Sequence, residues 1–478
     1  GNTSDPAALE SLLEQIDYIE NRFAWQRFQH SRALRMRGSQ AAPYRQRLSL
    51  HQQIITAQQQ GATAQVQALR DALRELEELP ASGSEAQSEG GVLQQLRATL
   101  APKQLVLKYQ ACGSRLYCFG IAADTLWVQH LPVAAHWPQA VERFWADIRR
   151  QASVALQGAR LGRQLLPQAI DNYQELIIVP GASLANLPFQ ALSHRGDYLL
   201  STHTISYAPH LIFIGAGSAQ PILESKPASL VLAPIGAQAR AAAEGLAVRA
   251  ATDRLRGAAA EGLSVAQNLA ATLLDENTAT KPRVLAALPQ AEWVHVATHA
   301  VYDSAAPNLS YLQLAAGDRL YLEEVYGLSM QAKLVLLSAC QTATSRPQSN
   351  RLQAFHRAFF QAGVPSVVAG LWELPDQATQ QVVEQFYAEL AQGRSAADAL
   401  RHAQLACLAR TDGAYAHPFF WAGLIVQGDT KVVPATRKTK RWMWLFGLAG
   451  VLLLGAAIIL WRRAQSRSGR GQALQQIE

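Results

Sequence analysis

His299 and Cys340 are the two side chains whose types and settings could do covalent chemistry in this 478-residue chain. His299 closes Trp293-Val294-His295-Val296-Ala297-Thr298-His299-Ala300, and Cys340 closes Lys333-Leu-Val-Leu-Leu-Ser338-Ala-Cys340-Gln-Thr342. A thiol attacks as thiolate, and a nearby imidazole is the usual means of forming one at neutral pH. Paired in space, the two side chains would make a cysteine hydrolase. A lone free cysteine is more commonly a small buried hydrophobe, so the argument rests on the company it keeps. His295 shares strand parity with His299, but an HxxxH ligand pair needs a helix, and this run is β-branched. His295 is expected to be a hydrogen-bonded core histidine, and His417, before Pro418, a structural one.

Both runs are of the apolar, β-branched kind that makes strands buried on two faces of a parallel sheet. The carboxyl ends of such strands are where side chains leave the core and meet substrate. Around them strands (292–298, 333–338, 364–371, 420–426) alternate with helices (262–274, 281–288, 351–362, 376–391, 394–408), which predicts an α/β fold with a mostly parallel sheet flanked by helices. Upstream, short strands are expected at Leu105–Tyr109, Arg115–Ile121 and Thr125–Val128, helices around 137–170, and buried strands at Glu175–Val179 and from Leu230. Residues 1–80 read as a helical hairpin or bundle with Leu9, Leu12, Leu13, Ile16 and Ile19 at helical spacing. Gly- and Ser-rich residues 81–91 read as a linker.

The net charge of +7 sits entirely in residues 437–478, where eight cations face the single acid Glu478. The rest of the chain is neutral, so no nucleic-acid groove is expected. Those cations bracket Trp442–Trp461, an uncharged run of 20 residues. At about 1.5 Å per residue it spans a bilayer's hydrocarbon, with tryptophan at each interface. A single-pass transmembrane helix at 442–461 and a basic tail at 462–478 are therefore expected. With no secretory signal in view, the body would lie on the cytoplasmic side. Four cysteines without CxxC spacing exclude a zinc site or a disulfide framework, and Gly215-Ala-Gly217 is no phosphate loop. No metal and no cofactor are expected.

Several co-linear segments together resemble the CHAT peptidase domain, a caspase-like family related to separases. They are Leu187-Pro-Phe-Gln-Ala-Leu192, Val296-Ala-Thr-His299-Ala300, Leu336-Leu-Ser-Ala-Cys340-Gln-Thr342, Gly370-Leu-Trp372-Glu-Leu-Pro-Asp376, Ala399-Leu-Arg-His-Ala-Gln404 and His417-Pro-Phe-Phe-Trp-Ala-Gly423. The resemblance implies a CHAT domain over 92–430, with a dyad-less half at 92–225 and a catalytic half at 226–430. It implies cleavage of protein substrates, commonly under a regulatory partner or N-terminal helical repeats, of which residues 1–80 would be the end. The histidine lies 41 residues before the cysteine, close to the caspase order of parts.

On that resemblance Cys340 would attack a peptide carbonyl and His299 would protonate the leaving amine. The oxyanion would be held by the backbone N–H groups of Ala300 and Cys340. The family has Gly where this chain has Ala300, and a left-handed backbone there would be strained by a Cβ. Trp372 and Asp376 are the expected substrate-side residues, with Asp376 opposing a basic P1 side chain. Residue chemistry alone offers Asp376 as the N-cap of helix 377–391 and Trp372 as a half-core residue. A membrane-anchored cysteine endopeptidase is the expected function; a catalytically silent CHAT-like scaffold binding peptide or protein partners at a membrane is the alternative.

Overall fold

The computed structural model describes residues 8–16, most of 46–78, 92–214, 228–234, 248–302, 310–338, 340–341, 350–372, 375–410, 413 and 415–429. In chain order its strands are β1 (Gln104–Cys112), β2 (Arg115–Ile121), β3 (Leu126–His130), β4 (Glu175–Val179), β5 (Ser193–His194), β6 (Asp197–Tyr198), β7 (Thr204–Tyr207), β8 (Ala228–Leu232) and β9 (Thr272–Leu274). They continue with β10 (Ala291–Val296), β11 (His299–Val301), β12 (Tyr311–Gln313), β13 (Arg319–Tyr321), β14 (Leu334–Leu337), β15 (Cys340–Gln341), β16 (Ser366–Gly370) and β17 (Leu424–Gly428).

Eleven of these form one sheet in the order β3-β2-β1-β4-β7-β17-β16-β14-β10-β8-β9. Seven of its ten pairings are parallel; the β1–β2–β3 meander and the β16–β17 pair are antiparallel. The expected large, mostly parallel sheet is present, and it runs unbroken through both halves of the chain. Period-2 alternation divides its two faces. Leu105, Leu107, Trp293, Leu334, Leu336 and Val368 point to a core shared by both halves. The opposite-parity residues Val294, Val296, Val335, Leu337 and Val367 pack against the helices and small sheet of the second half. On the first half that opposite face is covered by helix 8–16 and helix Val92–Thr99, whose Leu9, Leu13, Leu93 and Leu96 meet Val106 and Phe119. Glu10 pairs with Arg97 at 2.8 Å, so the first helix belongs to the sheet's cover. Helix Thr63–Glu78 packs its Val66 in a separate small core with Ile54 and Ala57.

Three expectations need correction. The helix placed at 262–274 is the C-terminal part of Val248–Leu269; Ala270, at φ 48, ends it, and residues 272–274 become the edge strand β9. The strand placed at 420–426 begins later, because Pro418–Trp421 forms a helical turn started by Pro418 and by the His417 ring accepting from Phe419 N at 3.1 Å. Asp376 is the first helical residue of Asp376–Ala391 and not its N-cap. Pro375, extended at ψ 135, takes the cap position, and its carbonyl accepts from Thr379 N at 2.9 Å and Thr379 Oγ1 at 3.0 Å. Among the described residues no helix is long and apolar enough to cross a membrane. The expected span at 442–461, the linker at 81–91 and Gly215–Gly217 lie outside the described residues.

His356, on helix Asn350–Gln361, is wholly inside, with Nδ1 against Gln427 Oε1 of β17. Burial pulls its pKa down to about 4. His210, half-buried, is held down to about 3 by desolvation and then by the cations of Arg357 and Lys108. Above the ordinary value of 6.5 the imidazole is neutral folded or unfolded, and stability is unaffected. As pH falls from there toward about 4, the unfolded chain takes the proton first, so stability drops. Between pH 6.5 and 5 His356 alone should cost about 2 kcal/mol. Urea midpoints at pH 7 and 5 should diverge less in His356→Asn than in the parent; parallel shifts in the two proteins would sink this assignment.

Candidate active site

β10 and β14 are parallel neighbours in which Trp293 faces Leu334 and Val296 faces Leu337. Both strands stop there, three residues short of His299 and Cys340. Each chain then enters a second, four-stranded sheet of order β13-β12-β11-β15. In it β11 and β15 again pair in parallel, with His299 facing Cys340 and Ala300 facing Gln341. The separation of 41 residues is the same in both ladders, so register carries across the gap without a slip. The Ser338 N–H donates to Val296 O at 2.9 Å and bridges the exits. Thr298 Oγ1 donates to Gln313 O at 2.6 Å and ties the first exit to β12. The backbones of His299 and Cys340 are thus cross-strand partners, about 4.8 Å apart by the spacing of paired strands.

His299 is half-buried. Ala300 is buried in β11, where it pairs with Leu312 of β12 and Gln341 of β15. Its φ is not positive, so the strain that a Cβ would bring to a left-handed residue does not arise. Trp372 is 8% exposed, belongs to the shared core, and donates from Nε1 to Phe419 O at 3.0 Å. Asp376, four residues on, opens the helix that packs against the same core. Among the described residues no cluster of His, Cys, Asp or Glu could hold a metal. Cys118 and Cys407 are buried, and burial pushes the Cys407 thiol up to about 11 and the Cys118 thiol higher still. Cys112 is exposed at the end of β1.

His295 is a core histidine, 1% exposed, as expected. Its Nε2 lies 3.2 Å from Glu261 Oε1 and its Nδ1 3.2 Å from the Tyr387 hydroxyl. The other carboxylate oxygen of Glu261 accepts from Ser338 Oγ at 3.0 Å. The Tyr387 hydroxyl has its pKa raised by burial and then by the nearby Glu261 charge. Sequence reasoning missed Glu261, Ser338 and Tyr387. A signal for Glu261 exists: it stands one helical turn before Val265, so an acid occupies the apolar stripe of Ala258-Ala-Ala-Glu261-Gly-Leu-Ser-Val265.

Three comparisons with known proteins bear on the chain. Tetratricopeptide repeat protein 28 of Mus musculus is 28% identical over 313 residues, covering 54% of this chain and 12% of that protein. The Homo sapiens protein of the same name is 26% identical over 309 residues, with the same coverage. The chain thus spans about an eighth of the length of the curated relatives it matches. Among solved structures, the Saccharomyces cerevisiae separase–securin complex at 2.6 Å aligns with a TM-score of 0.46 and 11% identity, over 71% of this chain and 31% of that one. The CHAT domain family matches residues 152–429, which hold both His299 and Cys340 and every parallel pair of the second half. With more than half its length matched, this chain belongs to the CHAT domain family.

Proposed function

We propose that the chain is a caspase-like cysteine endopeptidase acting on protein substrates, with Cys340 as nucleophile and His299 as its acid–base partner. The observation that carries the reading is the pairing of His299 with Cys340 in a parallel ladder beyond the ends of β10 and β14. In this reading the Cys340 thiolate, formed with the help of His299, attacks the scissile carbonyl. The Ala300 and Cys340 N–H groups receive the oxyanion, the histidine protonates the departing amine, and water hydrolyses the thioester. The substrate lies toward the start of helix Asp376–Ala391, where Asp376 would favour a basic P1 side chain and Trp372 would back the subsite. The names of the two relatives support helical repeats before residue 92 as the regulatory neighbour. A peptide cleavage-site library, run in parallel on the parent and on Cys340→Ala, tests the proposal. Cleavage that survives in the variant would leave the silent scaffold as the better reading.

The uncharged run at 442–461 between two basic clusters supports a membrane tether. Deleting 437–478 should move the chain from a carbonate-washed membrane pellet into the supernatant. An unchanged pellet fraction would remove the tether from the proposal.

A further inference from the structure

Glu261 is 4% exposed, and burying a carboxylate is unfavourable without compensating partners. Here the two oxygens reach toward two different segments. Oε1 lies 3.2 Å from His295 Nε2, an ion-pair approach without hydrogen-bond geometry, and His295 lies on β10 four residues before His299. Oε2 holds Ser338, which lies just past β14 and two residues before Cys340. The helix that carries Glu261 is fixed in turn: Ser264 Oγ donates to Glu384 Oε1 at 2.7 Å, on the helix that also presents Tyr387 to His295. Val265 and Ala266 bury the same helix in the shared core. One carboxylate therefore spans the junction where both chains leave the large sheet for the small one.

We propose that Glu261 is the positioning residue of the dyad, joining the exit that leads to His299 to the exit that leads to Cys340. The proposal rests on the cysteine-peptidase reading and adds to it a gauge outside the reacting atoms. Ser338 is the leg of this gauge on the cysteine side, and His295, braced by Tyr387, is the leg on the histidine side. Neither Glu261 nor Ser338 is asked to touch substrate. Their effect comes through the separation of imidazole and thiol, where a displacement on the order of 1 Å can cost up to a hundredfold in rate.

The test compares the full chain with Glu261→Gln, which keeps the shape and removes the charge, and with Ser338→Ala, which removes one leg. Two readouts are taken on each: kcat and KM for a library-selected peptide, and the pH dependence of Cys340 alkylation by iodoacetamide, followed by site-resolved mass spectrometry. In Glu261→Gln, kcat should fall about tenfold with KM held within about threefold. The alkylation midpoint should rise by about one pH unit, toward the free-thiol value of about 8.5. Ser338→Ala should move both in the same direction by less. A merely structural role would lower the melting temperature and leave the alkylation profile of the folded protein in place. Profiles that superimpose on the parent's would overturn the proposal. Should Glu261→Gln fail to fold, the Ser338→Ala profile decides alone, shifted in favour or superimposed against. Should Cys340→Ala cleave like the parent, the peptidase reading falls, while a shifted alkylation midpoint would still establish Glu261 as the gauge.

Discussion

Cys340→Ala should reduce kcat/KM for any cleaved peptide on the order of a thousandfold or more, because the acyl-enzyme can no longer form. His299→Ala should come close to the same loss. The double variant should be no worse than either single one, since the two groups act as a unit and their effects do not add. This non-additivity is the sharper measurement, because two independent structural defects would multiply. Positions 299 and 340 pair through their main chains, which alanine leaves intact, so both variants should keep the parent's unfolding midpoint. Additive losses, or a midpoint that falls with activity, would contradict a shared catalytic role.

Trp421→Ala should destabilise the fold by about 3–5 kcal/mol, the range for truncating a large aromatic side chain in a packed core. Trp421 has no exposed surface. Its indole packs edge-on against Tyr198 at 5.0 Å and donates from Nε1 to Ala416 O at 3.2 Å. Gln404 Nε2 is shared between Trp421 O and Leu424 O, each at 2.9 Å, so the residue also fixes the entry to β17. Tyr198 lies in the first half and β17 in the second, and removing the ring opens a cavity where they meet. Urea unfolding of the two proteins measures the difference, and a loss below about 1 kcal/mol would show that the site collapses around the gap.

Much of the large sheet is legible in the amino-acid sequence, for a physical reason. β4, β8, β10, β14 and β16 are covered on both faces, so each is a mostly apolar run that hardly any other element would need. The small sheet is not legible in the same way. β11, β12 and β13 are three residues long and β15 only two, too short for any period to declare itself. Its order depends on pairing between distant segments. The dyad is legible as residue types at strand ends, yet the register that makes 299 and 340 partners needs three dimensions. The buried cluster is the least legible part: Glu261, His295, Ser338 and Tyr387 come from four elements, and only the acid in an apolar stripe betrays it. Asp376 shows the ordinary limit at a helix start, where Pro375 takes the turn and shifts the boundary by one residue.

β17 is the last strand among the described residues but sits in the middle of the large sheet, between β7 and β16. Gly428 ends it at φ 97, where a side chain would collide with the Pro365 carbonyl and the Phe360 ring, so the strand seats closely against its neighbour. During synthesis, every earlier residue leaves the ribosome before the strand that joins the two half-sheets exists. Until then β7 and β16 would each offer an open hydrogen-bonding edge, a hazard for self-association. A nascent chain stopped short of residue 424 would carry His299 and Cys340 on an unfinished scaffold, so that hydrolytic competence would have to await translation of nearly the whole domain.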